Sequence, residues 1–263
     1  MNDYEHLDQE NLEEFRDPDT YDLLDAGYMD DRAVIEQWAQ SLGGPLGGPL
    51  LDLACGTGRM AIPMALRGYD MTAVDIVPEM VEWGRQKATR QGAVIEWVVA
   101  DARTFHLQQQ FSFIFMLCNA WQFFLTRADQ EALLASVREH LRMEGCFLFE
   151  TRNPNPHNLL ELRNPEPQHF TTSAGERLVT TQEQYYDPMT QIQHYTYYHC
   201  LTGQDGQSRE KTKHTALRYV YPQEMEALLH YNGFRIRACY GDWEQAPLTA
   251  DSPAMIYVCE RDG

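Results

Sequence analysis

The chain has 263 residues, 21 Lys and Arg against 39 Asp and Glu, and a formal charge of −18 at pH 7. A surface this acidic repels phosphate backbones and anionic bilayers, which argues against nucleic-acid and membrane partners. With 43% hydrophobic and 11% aromatic residues the length supports a real core, so disorder of the whole chain is excluded.

Residues 1–31 carry twelve carboxylates against one arginine, Arg16, and the stretch 1–45 is expected to form a helical acidic lid. From residue 50, short apolar runs alternate with helical patterns, the signature of a parallel sheet covered on both faces. Residues 49–54 read as the first strand, and Gly56-Thr57-Gly58 turns the chain into a helix that Gly68 ends. A second strand is expected at 71–75, and Pro78 suits the first turn of a helix over 79–90. Strands follow at 94–99 and 111–118. Leu133, Leu134, Val137 and Leu141 form a helical stripe over 127–142, and a fifth strand follows at 146–150.

The rhythm breaks at Asn153-Pro154-Asn155-Pro156. Residues 178–186, 191–200 and 210–221 read as antiparallel strands, with turns at Asp187-Pro188 and Thr202-Gly203. The α/β pattern resumes with a helix over 222–231, and strands at 234–240 and 254–260 are expected to pair as a hairpin at the sheet edge. The predicted organisation is a lid at 1–45, an α/β core at 46–152, an inserted antiparallel region at 153–218, and completion of the core at 219–263.

The chain shows no charged-then-apolar leader and no apolar run long enough to cross a bilayer, so a cytoplasmic protein is expected. The six cysteines are far apart, without a CxxC pair, and most sit in apolar stretches. They read as small buried hydrophobes, not as disulfides or zinc ligands.

The strongest motif is Leu51-Asp52-Leu53-Ala54-Cys55-Gly56-Thr57-Gly58. A strand that ends in glycines at a helix start lets a ligand approach the backbone and points free N–H groups at it. Alone, Gly56-x-Gly58-x-x-Ala61 also satisfies the dinucleotide fingerprint, and Asp75 at the end of the second strand would serve any ribose. Three further features discriminate: Asp52 inside the first strand, the acidic turn Ala100-Asp101-Ala102 after the third, and Leu117-Cys118-Asn119-Ala120-Trp121 at the end of the fourth. Together with Gly233-Phe234 of the final hairpin, these resemble the class I S-adenosylmethionine-dependent methyltransferases.

That resemblance, over about residues 45–150 and 215–261, implies a Rossmann-like seven-stranded sheet with an antiparallel last strand and S-adenosylmethionine as cofactor. It places Gly56 and Gly58 beneath the methionine portion and Asp75 on both ribose hydroxyls, with Asp52, Ala54 and Thr57 also among the cofactor-binding residues. Ile76 and Met80 would pack near the adenine, with Asp101 and Ala102 at its polar edge and Leu117, Cys118 and Asn119 near the sulfonium. Residues 15–28 look similar to the Tyr-Asp segment of small-molecule N-methyltransferases, which makes Tyr21, or equally Tyr28, the candidate for the cofactor carboxylate.

Ligands of open α/β sheets lie outside the carboxyl ends of the strands, where the insertion would form a roof. On its central strand His194, Thr196 and Tyr198 share one face and Tyr195, Tyr197 and His199 the other, and either face could look inward. The odd spacing of His194 and His199 puts them on opposite faces, so no metal site is expected. Candidates for the chemistry are Asn119, Tyr195, Tyr197 and His199; candidates for substrate contact are Tyr28, Trp121, Arg152, Tyr198 and Tyr221. Tyrosine-rich surroundings can hold an amine through hydroxyls and cation–π contacts, which favours a small amine acceptor. O-methylation or other chemistry on the same cofactor, an NAD-dependent oxidoreductase, and a cofactor-binding interaction protein without turnover stay open alternatives. The expected assembly is a monomer or homodimer.

Overall fold

In the computed structural model residues 4–24, 31–159, 166–172 and 174–262 are described. Three helices come first: α1 (Glu5–Glu14), α2 (Pro18–Leu24) and α3 (Arg32–Ser41). Strand β1 (Leu50–Leu53), helix α4 (Ala61–Leu66), strand β2 (Met71–Asp75), helix α5 (Pro78–Gln91) and strand β3 (Glu96–Val99) then alternate. They are followed by β4 (Phe111–Met116), α6 (Arg127–His140) and β5 (Leu141–Arg152). Every residue of β1, β2 and β4 is buried, as central strands covered on both faces require. Pro78 opens α5 and Gly92, at φ +75°, closes it. Thr126 and Asp129 form a reciprocal capping box at the start of α6.

The insertion follows as β6 (Gln168–Thr171), β7 (Arg177–Asp187), β8 (Ile192–Thr202) and β9 (Ser208–Arg218). Helix α7 (Pro222–Tyr231), β10 (Phe234–Tyr240) and β11 (Ala254–Arg261) complete the chain. The main sheet has the order β10-β11-β5-β4-β1-β2-β3, and the insertion is a separate antiparallel sheet, β6-β7-β8-β9. Strand β11 runs antiparallel to both β5 and β10, while β5, β4, β1, β2 and β3 are parallel. This is the expected seven-stranded sheet with its antiparallel edge hairpin.

Two details differ from the sequence reading. Leu141 continues the apolar stripe of α6 but is extended (φ −86°, ψ 132°) and pairs with Phe111, so β5 starts there. Strand β6 was not expected at all: Phe170 is its single strongly apolar residue, and pairing with β7 specifies it.

Strand order reverses between β1 and β4, which opens a crevice at their carboxyl ends. The N-terminal helices are anchored around it. Asn11 on α1 donates to the Ala216 carbonyl (3.0 Å) and accepts from the Ala216 N–H (2.7 Å), acting as an extra partner for edge strand β9. Asp22 on α2 accepts from Trp83 Nε1 (2.9 Å) and Lys87 Nζ (2.7 Å). Helix α3 buries Val34, Ile35 and Ala39 in the core beside Leu50 and Phe113. All six cysteines are free thiols; Cys55, Cys146 and Cys259 are buried and the others half-buried. No helix among the described residues is long and apolar enough to cross a membrane.

Candidate functional site

The turn after β1 is built from left-handed backbone: Ala54 (φ 58°), Gly56 (φ 53°) and Gly58 (φ 78°). The two glycines serve different purposes. A Cβ on Gly56 would meet nothing closer than the Tyr21 ring at 3.8 Å, so this glycine leaves space beside α2. A Cβ on Gly58 would lie 2.5 Å from the Trp97 ring, so that glycine permits helix–strand packing and does not face the crevice. The Gly56 N–H donates to Asp75 Oδ2 (2.8 Å), and the Val77 N–H donates to Asp75 Oδ1 (2.9 Å). Burial raises the Asp75 pKa, and these backbone donors oppose the shift.

A cavity follows from this turn along the sheet edge. Tyr21, Ala54, Gly56 and Asp75 line one end, and Ile76, Met80 and Ala102 form apolar walls. Asp101, Leu117 and Cys118 complete it. Burial raises the Asp101 pKa, but the Arg103 hydrogen bonds outweigh it and hold the carboxyl below its ordinary value. Both Asp101 oxygens are engaged by Arg103, which also reaches Asp129 Oδ1 (2.9 Å) and Asp8 Oδ2 (3.3 Å). Arg103, which sequence reasoning did not single out, thus ties the lid to the acidic turn. Its only sequence signal was a cation two residues after Asp101 in a cation-poor chain.

At the end of β4, Cys118 and Asn119 are both left-handed (φ 55°), a conformation that costs non-glycine residues energy and is kept where neighbours enforce it. Glu150 on β5 is that neighbour: it accepts from the Asn119 N–H (3.3 Å) and from Trp243 Nε1 (3.0 Å). The strained turn opens a second, polar cavity of about 550 Å³, roofed by the inserted sheet. Phe15, Tyr21, Cys118 and Phe123 line both cavities, so the two lie side by side. Asn119, Arg152, Tyr197 and His199 line the second cavity. Tyr195, on the same inward face, accepts from Arg152 Nη1 (2.8 Å).

Several candidates lie elsewhere. Asp52 is buried, accepts from the Ala61 N–H (3.1 Å), and so starts α4 without facing either cavity. Thr57 is also buried; its hydroxyl donates to Asp22 (2.5 Å) and accepts from Lys87 (2.9 Å), fastening the lid. Trp121 is fully buried and stacks on Phe149 at 4.4 Å, because the left-handed turn before it sends the ring into the core. Tyr198 faces outward, by strand parity, and bonds Glu183. Tyr221 is exposed just before α7, its N–H turned toward Glu224. Tyr28 lies outside the described residues.

Two buried acids beneath the site predict a pH dependence. Burial pushes Asp52 up to about 8 and Glu150 up to about 7. The folded state therefore holds protons that the unfolded chain has released, so this stability is complete below about pH 4 and is lost as pH rises toward 7–8. Unfolding free energy should fall by on the order of 6 kcal/mol between pH 5 and pH 9, and Glu150→Gln should flatten the decline. Urea titrations at these pH values check this; an unchanged slope in the variant refutes the assignment.

Residues 50–145 match the family model described as a methyltransferase domain. The putative methyltransferase YqeM of Bacillus subtilis is 22% identical over 235 residues, 87% of this chain and 91% of its own. A glycine/sarcosine N-methyltransferase of Aphanothece halophytica is 25% identical over 229 residues, 81% of this chain and 76% of its own. A solved structure of an S-adenosylmethionine-dependent methyltransferase from Clostridium acetobutylicum matches with a TM-score of 0.79 at 16% identity, covering 93% of this chain and 97% of that one. Residues 50–145 thus form a methyltransferase domain, the chain shares the fold of S-adenosylmethionine-dependent methyltransferases, and these likenesses support S-adenosylmethionine as the cofactor.

Proposed function

We propose that this methyltransferase places the methyl group of S-adenosylmethionine on the amine of a small molecule held beneath the inserted sheet. The observation that carries the reading is the aromatic junction at which the two cavities meet: Phe15 stands edge-on to Tyr21 (5.7 Å) and to Phe123 (5.3 Å). The first cavity fits the cofactor. Asp75 accepts backbone N–H groups on both oxygens, with Ile76 as a third donor, and a carboxylate has about four acceptor sites, so capacity remains for a ribose hydroxyl. Ile76, Met80 and Ala102 would hold the adenine by apolar contact, since Asp101 is committed to Arg103. The open space at Gly56 beside Tyr21 would take the methionine portion.

When bound, the cofactor supplies a methyl carbon already activated by a sulfonium. What remains for the chain is alignment and exclusion of water, which Phe15, Phe123 and Leu117 favour at the junction. Proton acceptors in the roof are weak. Burial, with Lys213 and Lys211, lowers the His199 pKa to about 4, and burial raises that of Tyr195. A hydroxyl acceptor would need a base better matched to neutral pH, whereas an amine attacks through its own lone pair once its ammonium proton has passed to solvent. The aromatic junction suits an ammonium on arrival. The Aphanothece relative is named for two amines, glycine and sarcosine.

The test is production of S-adenosylhomocysteine over a panel of small amines, phenols and carboxylic acids, with mass spectrometry locating the new methyl. Turnover with N-methyl products is expected. Turnover confined to phenols or acids, with methyl on oxygen, overturns the amine reading.

A further inference from the structure

The acceptor chamber is cationic inside a chain whose formal charge is −18. Arg152 and Lys213 both line it, and among the described residues Glu166 is the one carboxylate that does. Arg152 is the more telling. It ends β5 at the floor of the chamber, donates to the Tyr195 hydroxyl at 2.8 Å, and lies 5.8 Å from the centroid of that ring. Tyr219 and Tyr197 are its other near polar neighbours. These partners are neutral, and among the described residues no carboxylate forms a salt bridge with it. An arginine cannot relieve this by losing its proton, so its planar fork of donors faces the chamber at full charge.

The roof adds to the field. On β9, Lys213 stands opposite Tyr197 and Lys211 opposite His199. Both lysines act with burial, against the weaker opposing field of Asp17, to keep His199 neutral, so their potential is felt across this wall. An amine that arrives as ammonium and carries no other charge would meet two like charges here. The same amine with an anion at its far end would be attracted by them.

We infer that the acceptor carries a carboxylate in addition to its reacting group, and that Arg152, assisted by Lys213, forms the subsite that holds it. The amine reading above is assumed for the reacting end alone. The planar guanidinium matches a carboxylate through two parallel hydrogen bonds, which would fix the acceptor's orientation beneath Tyr197 while its nitrogen points to the Cys118–Asn119 turn.

The test uses the full chain loaded with S-adenosylhomocysteine, and saturation-transfer NMR with the standard amino acids, their carboxamides, the corresponding decarboxylated amines and O-phosphorylated amines. Turnover is followed in parallel with S-adenosylmethionine. Carboxylated members are expected to bind and react at least about tenfold better than their amides, as for one charge-assisted bidentate contact. Arg152→Gln should erase that preference with S-adenosylhomocysteine affinity unchanged, and Arg152→Lys should restore part of it. Should Arg152→Gln fail to bind S-adenosylhomocysteine, Lys213→Gln reads the same preference. Amides or decarboxylated amines that match the acids, phosphorylated amines that replace them, or absence of binding by any carboxylated member each overturn the subsite. Arg152-dependent binding of carboxylates with methyl found only on oxygen leaves the subsite standing and overturns the amine reading instead.

Discussion

Replacement of Asp75 by alanine is expected to weaken S-adenosylhomocysteine binding by about ten- to a hundredfold, the equivalent of about 1.5–3 kcal/mol. Two losses combine. The carboxylate that would accept a ribose hydroxyl disappears, and the Gly56 and Val77 N–H groups lose the acceptor that sets their direction. Gly56 then has less reason to hold φ 53°, and the space it keeps beside Tyr21 becomes less defined. Asp75→Asn should lose less, because one amide oxygen can still accept from one of the two backbone donors. Isothermal titration of both variants checks the order. An affinity unchanged in Asp75→Ala removes this residue from the cofactor site.

The elements that the sequence made legible are those whose instructions are local. Alternating apolar runs and helical stripes predicted the order of strands and helices, and the glycine turn located the crevice, because strand, turn and helix start lie within a few residues of each other. Motif membership was a poorer guide to role. Asp52, Thr57 and Gly58 belong to the same segment as Gly56, yet successive side chains of a turn point in different directions, and these three meet α4, the lid and Trp97. Parity on β8 could be read, but not which face looked inward. That depended on Arg152 meeting Tyr195 and on Asn11, 205 residues away, clasping Ala216. Arg103 and Glu150 escaped notice for the same reason: their partners are brought together only by the finished sheet.

The acidic start of the chain has a more specific role than general solubility. Several of its carboxylates are partners of core groups: Asp8 meets Arg103, Asp22 meets Lys87 and Thr57, and Asp31 meets Arg59. The N-terminal helices therefore rest on a set of ion pairs distributed around the first cavity, with Asn11 adding a neutral clasp to the inserted sheet. The half-exposed pairs should contribute little each and weaken with salt. The Asp31 pair differs because water does not reach its carboxylate.

Arg59→Ala is accordingly expected to cost about 3–5 kcal/mol of stability, the usual penalty for stranding one member of a buried ion pair. The Asp31 side chain is fully buried, and that of Arg59 is 18% exposed. Arg59 donates to both Asp31 oxygens, through Nη1 at 2.9 Å and through Nη2, which also lies 3.0 Å from Cys118 Sγ. Without the guanidinium, Asp31 would be left as an isolated carboxylate whose field already reaches Asp52 and Glu150. The remedy open to the chain is to withdraw the segment around residue 31 into solvent, which would loosen the entry to α3 and the Cys118 turn together. Arg59→Lys keeps the charge but loses the fork, so it should fall between wild type and alanine. The double variant Arg59→Met with Asp31→Leu should recover much of the stability, since it removes both charges and keeps apolar volume. Urea denaturation of the four proteins at pH 7 decides the matter: a single alanine variant as stable as wild type, or a double variant no better than the single one, would show that the pair is not what holds this corner of the site.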